Sequence, residues 1–98
     1  MANPLEKEVE ERLRKRIESR GGRCLKWVCP GWKGIPDRIC LLPGGRIVFV
    51  ETKRPSGSVT AKIQEYWARQ LRALGFSHYF IFTYEAVEAL MKVIDNDL

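Results

Sequence analysis

Two short segments determine the predicted fold: GIPD at residues 34–37 and RIVFVETK at residues 46–53. Side chains of a strand alternate between its two faces, so Phe49, Glu51 and Lys53 point the same way. The second segment is apolar on both faces, which predicts a strand that is buried on both sides. A buried strand that ends in Glu-Thr-Lys requires an explanation, because charged side chains are rarely placed in a core.

Asp37, Glu51 and Lys53 suit the metal-dependent hydrolysis of phosphodiesters. Mg²⁺ prefers oxygen ligands and usually takes one or two carboxylates together with water and phosphate oxygens. The metal makes a bound water easier to deprotonate, and a nearby lysine can orient that water or offset developing charge. We therefore predict Asp37 and Glu51 as metal ligands, with the backbone carbonyl of Thr52 as a third. Lys53 is the predicted water-positioning group.

A structural alternative requires no chemistry at these positions. Asp37 could be a turn residue, and Glu51 and Lys53 could form an exposed ion pair on one face of the strand. Such a pair contributes less than about 1 kcal/mol to stability.

The same residues resemble a known nuclease signature. Pro36-Asp37 followed by Glu51-Thr52-Lys53 matches the PD-(D/E)xK pattern. The flanking text resembles the VRR-NUC (virus-type replication-repair nuclease) branch and consists of GIPDR (34–38), PGGR (43–46), FVETK (49–53) and Gln64. The resemblance covers nearly the whole chain, from about Glu6 to the last helix. It implies a restriction-endonuclease-like domain, a Mg²⁺ or Mn²⁺ cofactor and a DNA substrate.

Hydrophobic periodicity and turn residues predict an α/β fold with the order helix, three strands, helix, strand, helix. The predicted elements are a helix from Pro4 to the glycines at 21–22, strands at 24–28, 37–42 and 46–53, a helix at about 60–74, a strand within 76–82, and a C-terminal helix capped by Thr83. A hairpin plus a strand reached through a helix implies a mixed sheet flanked by helices. This is an αβββαβ core with one further helix, predicted as a single domain over residues 1–98.

The three predicted helices each carry an apolar stripe. The stripes are Leu5, Val9, Leu13 and Ile17 in the first helix, Ile63, Trp67, Leu71 and Leu74 in the second, and Val87, Leu90, Met91 and Ile94 in the third. Asn3 is the expected N-cap of the first helix, with Glu6 as its partner in a capping box.

The resemblance also implies a catalytic glutamate from the first helix. Glu8 and Glu11 point away from the apolar stripe, whereas Glu6 and Glu10 lie at its border, from which a side chain can reach the site. Glu10 is favoured, because Glu6 has a capping role and because the wider superfamily places its glutamate at this distance from the closing Gly21. VRR-NUC sequences often carry a glutamate at the position of Glu6, so both candidates are kept.

The composition favours a polyanionic partner, because 17 Lys and Arg against 12 Asp and Glu give a net charge of +5. The predicted DNA contacts lie in or near loops that flank the catalytic strands and are Lys26, Lys33, Arg38, Arg54 and Lys62. Trp32 is predicted to stack on an unpaired base or, alternatively, to pack over the sheet edge. Trp27 and Trp67 are predicted to lie in the core.

Gln64 follows the strands on the second long helix. By resemblance it completes the active site through a hydrogen bond to Lys53, the water or the phosphate, and the alternative is a solvated polar residue. One 98-residue domain has too little surface to grip a four-way DNA junction and cut two strands. Symmetric cleavage therefore suggests a homodimer acting on Holliday junctions. A flap, nick or duplex nuclease with the same site and an inactive DNA-binding module are the alternatives.

The cysteines and the hydropathy of the sequence indicate the cellular compartment. Cys24, Cys29 and Cys40 form no C-x-x-C pair, and His78 is the only histidine, so free thiols are expected rather than a zinc site. No apolar run approaches the ~20 residues of a membrane span, and the N-terminus is charged. The sequence predicts a cytoplasmic protein, in the host cytoplasm if it is phage-encoded.

Overall fold

A four-stranded mixed sheet with helices on its faces is formed by residues 5–96, the part of the chain that the computed structural model describes. The elements are α1 (Glu6–Glu18), β1 (Arg23–Lys26), β2 (Arg38–Leu42), β3 (Arg46–Glu51), α2 (Ser58–Ala73), β4 (Ser77–Phe80) and α3 (Tyr84–Asn96). The strands lie in the order β1-β2-β3-β4; the first three are antiparallel, and β4 runs parallel to β3. The predicted αβββαβ core with a C-terminal helix is confirmed.

The main hydrophobic core lies on the face of the sheet that α1 and α3 cover. Its strand residues include Cys40, Val48 and Val50, and its helical residues are Val9, Leu13, Ile17, Val87, Leu90, Met91 and Ile94. The stripe predicted for α3 is confirmed, and the Thr83 hydroxyl caps this helix by accepting the Ala86 N–H at 3.1 Å. Each fully buried side chain of this size contributes about 1.5–3 kcal/mol, so this face supplies much of the stability of the fold.

Helix α2 covers the opposite face of the sheet, where aromatic rings predominate. The Phe49 ring lies 5.0 Å from Trp27 and 5.5 Å from Phe76. The buried residues of α2 are Gln64, Ala68 and Leu71, which differs from the predicted stripe. Leu74 was wrongly predicted to be buried: it is 73% exposed, because it follows the last residue of the helix.

The start of α1 also differs from the prediction. The expected N-cap, Asn3, and the expected first helical residue, Pro4, lie outside the described residues. The helix begins at Glu6, and its N-cap, Leu5, makes no side-chain hydrogen bond because leucine has no acceptor. The Glu6 carboxylate accepts the backbone N–H of Arg54 at 3.0 Å, so it faces the loop after β3.

Two strands end two residues earlier than predicted, β1 at Lys26 and β3 at Glu51. After Glu51 the chain leaves the ladder, because the Thr52 N–H donates to the side chain of Asp37 at 2.7 Å instead of to a neighbouring strand. This hydrogen bond at the end of β3 joins the segment that contains Asp37 to the segment that contains Glu51 and Lys53.

Cys24, Cys29 and Cys40 are free thiols, as predicted. Cys24 and Cys40 face each other across β1 and β2 with their sulfurs 3.8 Å apart. Within residues 5–96, no helix combines the length and the apolar character needed to cross a bilayer.

Buried His78 makes stability depend on pH. Its side chain in β4 is 3% exposed, and its Nδ1 has no hydrogen-bond partner among residues 5–96. Burial, followed by the charge of Arg72, lowers its pKa to about 4. An unfolded histidine has a pKa of about 6.5, so between these values the unfolded chain binds a proton that the folded chain does not. Stability therefore falls as the pH decreases through this window.

We expect wild-type protein to lose about 2 kcal/mol more stability than His78→Phe between pH 7 and pH 5. Phenylalanine keeps an aromatic ring beside Phe80 and does not titrate. Urea unfolding of both proteins at both pH values measures the difference, and an equal loss in both would contradict the assignment.

Candidate active site

The predicted catalytic residues meet in one open cleft of about 540 Å³ beside the ends of β1 and β3. Asp37, Glu51, Lys53 and Gln64 all line it. Trp27, Trp32 and Ile35 from the loop between β1 and β2 form one wall, and Thr60 and Gln64 of α2 contribute another. Carboxylates, a lysine and aromatic rings therefore share one accessible surface.

Thr52 contacts both oxygens of the Asp37 carboxylate. In the antiparallel register, Arg38 pairs with Val50, which places Asp37 beside the residues that follow Val50. The Thr52 N–H donates to Oδ1 of Asp37 at 2.7 Å, and the Thr52 hydroxyl lies 2.5 Å from Oδ2. Each carboxylate oxygen has two lone pairs, so both can still accept a further ligand.

Glu51 is a buried carboxyl beside a second carboxylate. It is 3% exposed, and its backbone carbonyl accepts the Ile81 N–H at 2.9 Å, which fixes the end of β3. Burial, followed by the charge of Asp37 and a hydrogen bond with it, raises the pKa of Glu51 to about 8. Its burial contradicts the alternative that Glu51 forms an exposed ion pair with Lys53.

This donor set fits a divalent cation. Asp37 and Glu51 place two carboxyl groups together, burial and the charge of Asp37 oppose ionisation of Glu51, and a cation would relieve both effects. Residues 5–96 contain no cluster of three or more His, Cys, Asp or Glu side chains that could hold a metal. An ion here would take its remaining ligands from backbone, water and phosphate oxygens, which is the usual arrangement for Mg²⁺.

The two helix glutamates have different surroundings. Glu10 does not reach the cleft lining: its Oε2 lies 2.6 Å from the Arg38 guanidinium and its Oε1 lies 2.9 Å from the Thr52 hydroxyl. Burial raises the pKa of Glu10, but the hydrogen bonds from Arg38 and Thr52 outweigh burial and hold it below its usual value. Of the two candidates, Glu6 lines the cleft, and Glu10 is paired with Arg38 away from its lining.

The predicted DNA contacts divide into two groups. The Arg38 side chain is only 11% exposed and is paired with Glu10, which contradicts its predicted phosphate contact. The remaining basic candidates are exposed and are Lys26, Lys33, Arg54 and Lys62. Arg54 lines the cleft, and its guanidinium donates to the Phe82 carbonyl at 3.1 Å.

Trp32 is 61% exposed on the cleft wall, and its ring meets that of Trp67 edge to face at 5.7 Å. Its exposure is at odds with packing over the sheet edge. Trp27 and Trp67 are half-buried rather than fully in the core. One face of the cleft is therefore an accessible aromatic surface.

Gln64 and Gly34 fix the cleft against α2. Gln64 is 6% exposed, so it is not the solvated residue of the alternative, and its Nε2 donates to the Lys53 carbonyl at 3.2 Å. Gly34 lies so close to α2 that a Cβ there would be 2.0 Å from Cγ2 of Ile63. Sequence periodicity does not reveal this close approach or the contacts of the Thr52 hydroxyl, although Gly34, three residues before Asp37, is a signal for the former.

Comparison with known proteins agrees with this geometry. No family profile matches the chain. A solved structure described as a VRR_NUC domain superposes with a TM-score of 0.79 at 28% identity, covering 89% of this chain and 94% of that one. The p44 protein of Acyrthosiphon pisum secondary endosymbiont phage 1, whose name provisionally calls it a nuclease, is 42% identical over 55 residues, or 56% of this chain. The chain spans 59% of the length of p44.

The mixed sheet with helices on its faces has the restriction-endonuclease-like fold of the VRR_NUC domain on which it superposes. The chain is similar to the VRR_NUC domain over most of its length and to the phage protein over 55 residues.

Proposed function

We propose that this protein is a Mg²⁺- or Mn²⁺-dependent endonuclease that hydrolyses phosphodiester bonds in branched DNA, with the Holliday junction as its principal substrate. The observation that carries the proposal is the pairing of Asp37 with buried Glu51 in an open cleft that Lys53 also lines. The likeness to a VRR_NUC domain and to a nuclease-named phage protein supports the hydrolytic class.

Asp37 and Glu51 would hold the metal, with the Thr52 carbonyl as a third ligand and Glu6 at the rim of the cleft. When bound, the ion makes a coordinated water more acidic and offsets negative charge on the phosphate. The Lys53 ammonium orients the attacking water and stabilises the charge that develops on the phosphate oxygens. Gln64 fixes the backbone at Lys53 through its hydrogen bond to that carbonyl, so it is a positioning residue.

Phosphate contacts outside the cleft would come from exposed basic side chains. Lys26, Lys33, Arg54 and Lys62 are exposed around the catalytic strands and α2. Such contacts give affinity without sequence preference and weaken as salt concentration rises. The similarity to a phage protein supports phage DNA as the substrate, and the proposal places its processing, including repair, in the host cytoplasm.

A homodimer would supply the two cuts that junction resolution needs. A chain with one catalytic cleft makes one incision. The two cleaved strands of a symmetric junction are related by a twofold axis, and the two clefts of a homodimer are related in the same way. Sedimentation should give a dimer of an 11.3 kDa chain. A monomer both in solution and on DNA would contradict junction resolution and would favour a flap or nick nuclease.

The function is tested by cleavage of three labelled DNAs: a four-way junction, a flap and a linear duplex, each with Mn²⁺. Paired symmetric cuts on the junction, with little cutting of duplex, are expected. Equal cutting of all three would contradict the junction preference and leave a nuclease of broader substrate range. Binding without cutting, together with no heat of Mg²⁺ binding in calorimetry, would favour the inactive DNA-binding module.

Trp32 is expected to select DNA with unpaired bases. Stacking of one base on an aromatic ring contributes about 1–3 kcal/mol, so Trp32→Ala should lower kcat/KM on the junction by about tenfold relative to duplex. Trp32→Phe, which keeps a ring, should retain most of the preference. An equal loss of kcat/KM on junction and duplex in Trp32→Ala would show that Trp32 does not contribute to selectivity.

A further inference from the structure

A continuous chain of side-chain contacts runs behind the cleft from Arg38 to Asp37. The Arg38 guanidinium lies 2.6 Å from Oε2 of Glu10, whose Oε1 lies 2.9 Å from the Thr52 hydroxyl. The same hydroxyl lies 2.5 Å from Oδ2 of Asp37. Glu10 comes from α1, Arg38 from β2, and Thr52 from the end of β3. Side chains of three elements therefore connect to the carboxylate of Asp37 through the Thr52 hydroxyl.

We propose that Glu10 is a positioning residue that acts on the metal site through the Thr52 hydroxyl, and is not itself a metal ligand. This inference rests on the proposed nuclease function. Both Glu10 oxygens are engaged, one by Arg38 and one by Thr52, and Glu10 does not line the cleft. A carboxylate held on both sides in this way fixes the rotamer of its neighbour.

Thr52 is suited to transmit this constraint. It is 0% exposed, so bulk water does not compete for its hydroxyl. The hydroxyl carries one proton but lies within hydrogen-bond distance of two carboxylates, so its orientation depends on the charge of both. Arg38 offsets the charge of Glu10, so the Thr52 hydroxyl lies between two carboxylates of which one is paired, while the Thr52 N–H donates to Oδ1 of Asp37.

The ion pair also makes a third carboxylate tolerable near the site. Thr52 lies between Glu10 and Asp37 and contacts both, and Asp37 lies beside Glu51. An unpaired carboxylate there would place a third negative charge close to Asp37 and Glu51. Paired with Arg38, Glu10 supplies orientation without adding net charge.

The matched pair Thr52→Val and Thr52→Ser tests the inference. Valine keeps the shape of threonine without the hydroxyl, and serine keeps the hydroxyl. Groups that orient metal ligands typically change metal affinity or activity by 10–100-fold when removed. Calorimetric titration with Mn²⁺ should therefore show binding at least about tenfold weaker in Thr52→Val and close to wild type in Thr52→Ser. Thermal unfolding checks that each variant folds, and Thr52→Ala serves if the valine variant does not.

A double-mutant comparison separates positioning from direct ligation. Glu10→Gln should weaken Mn²⁺ binding in the wild-type background and add less than about twofold in the Thr52→Val background, because residues that act through one another are non-additive. The inference would be overturned if Glu10→Gln weakened Mn²⁺ binding equally in both backgrounds, or if Thr52→Val bound Mn²⁺ as tightly as wild type. Neither result would contradict the proposed nuclease function. A wild-type protein that neither binds Mn²⁺ nor cleaves DNA would overturn the proposed function as well.

Discussion

Replacing Glu51 with glutamine is expected to abolish cleavage and, in the presence of a chelator, to make the protein more stable. Glu51 is 3% exposed, and burial beside Asp37 raises its pKa to about 8. When folding raises the pKa of a carboxyl, the folded protein becomes less stable as the pH rises from the pKa in the unfolded chain to the pKa in the folded chain. At pH 7 the cost is up to about 3 kcal/mol, and an uncharged glutamine avoids it.

The measurement is urea unfolding of wild type and Glu51→Gln at pH 7 with EDTA, together with cleavage in Mn²⁺. Glu65→Gln is the control, because the Glu65 side chain is 68% exposed and its replacement should change stability by less than about 0.5 kcal/mol. Cleavage by Glu51→Gln should fall by more than about 100-fold. A variant that is less stable than wild type, or one that still cleaves, would contradict the role assigned to Glu51.

Gly34→Ala is expected to destabilise the protein by about 3 kcal/mol and to reduce cleavage. A Cβ at this position would lie 2.0 Å from Cγ2 of Ile63 and 2.9 Å from its backbone carbon. The residue also has φ +79, which is strained for alanine. Relief of the clash would move the loop away from α2, and that loop carries Asp37.

Gly31→Ala provides a matched control in the same loop. Gly31 has a similar φ of +87, but nothing lies within 4 Å of its added Cβ. It should therefore show only the backbone cost of about 1 kcal/mol and retain activity. Thermal unfolding and cleavage of both variants separate the two causes, and equal losses would show that contact with Ile63 is unimportant.

Local patterns predicted most of the fold. The apolar run of β3 and the apolar stripe of α3 depend only on neighbours in sequence, and both were confirmed. The antiparallel pairing of β2 with β3 brings Asp37 close to Glu51 once the hairpin is recognised. The meeting of the catalytic segments was therefore predictable from two strands and one turn.

Contacts between distant segments were not predictable in the same way. The pair between Arg38 and Glu10 joins residues 28 positions apart and depends on how α1 is rotated against β2. The buried face of α2 likewise depends on Gly34, which allows Ile63 to approach the cleft loop. A small rotation of either helix changes which side chains meet, and periodicity fixes such angles only coarsely.

The most direct test of the central claim compares wild type with Asp37→Asn on a labelled four-way junction, in Mn²⁺ and in EDTA. Asparagine keeps an oxygen that can accept the Thr52 N–H, so the variant should fold, as thermal unfolding can verify. The predicted result is cleavage only by wild type with Mn²⁺. Equal metal-dependent cleavage by Asp37→Asn would contradict the assignment of this cleft as the catalytic site.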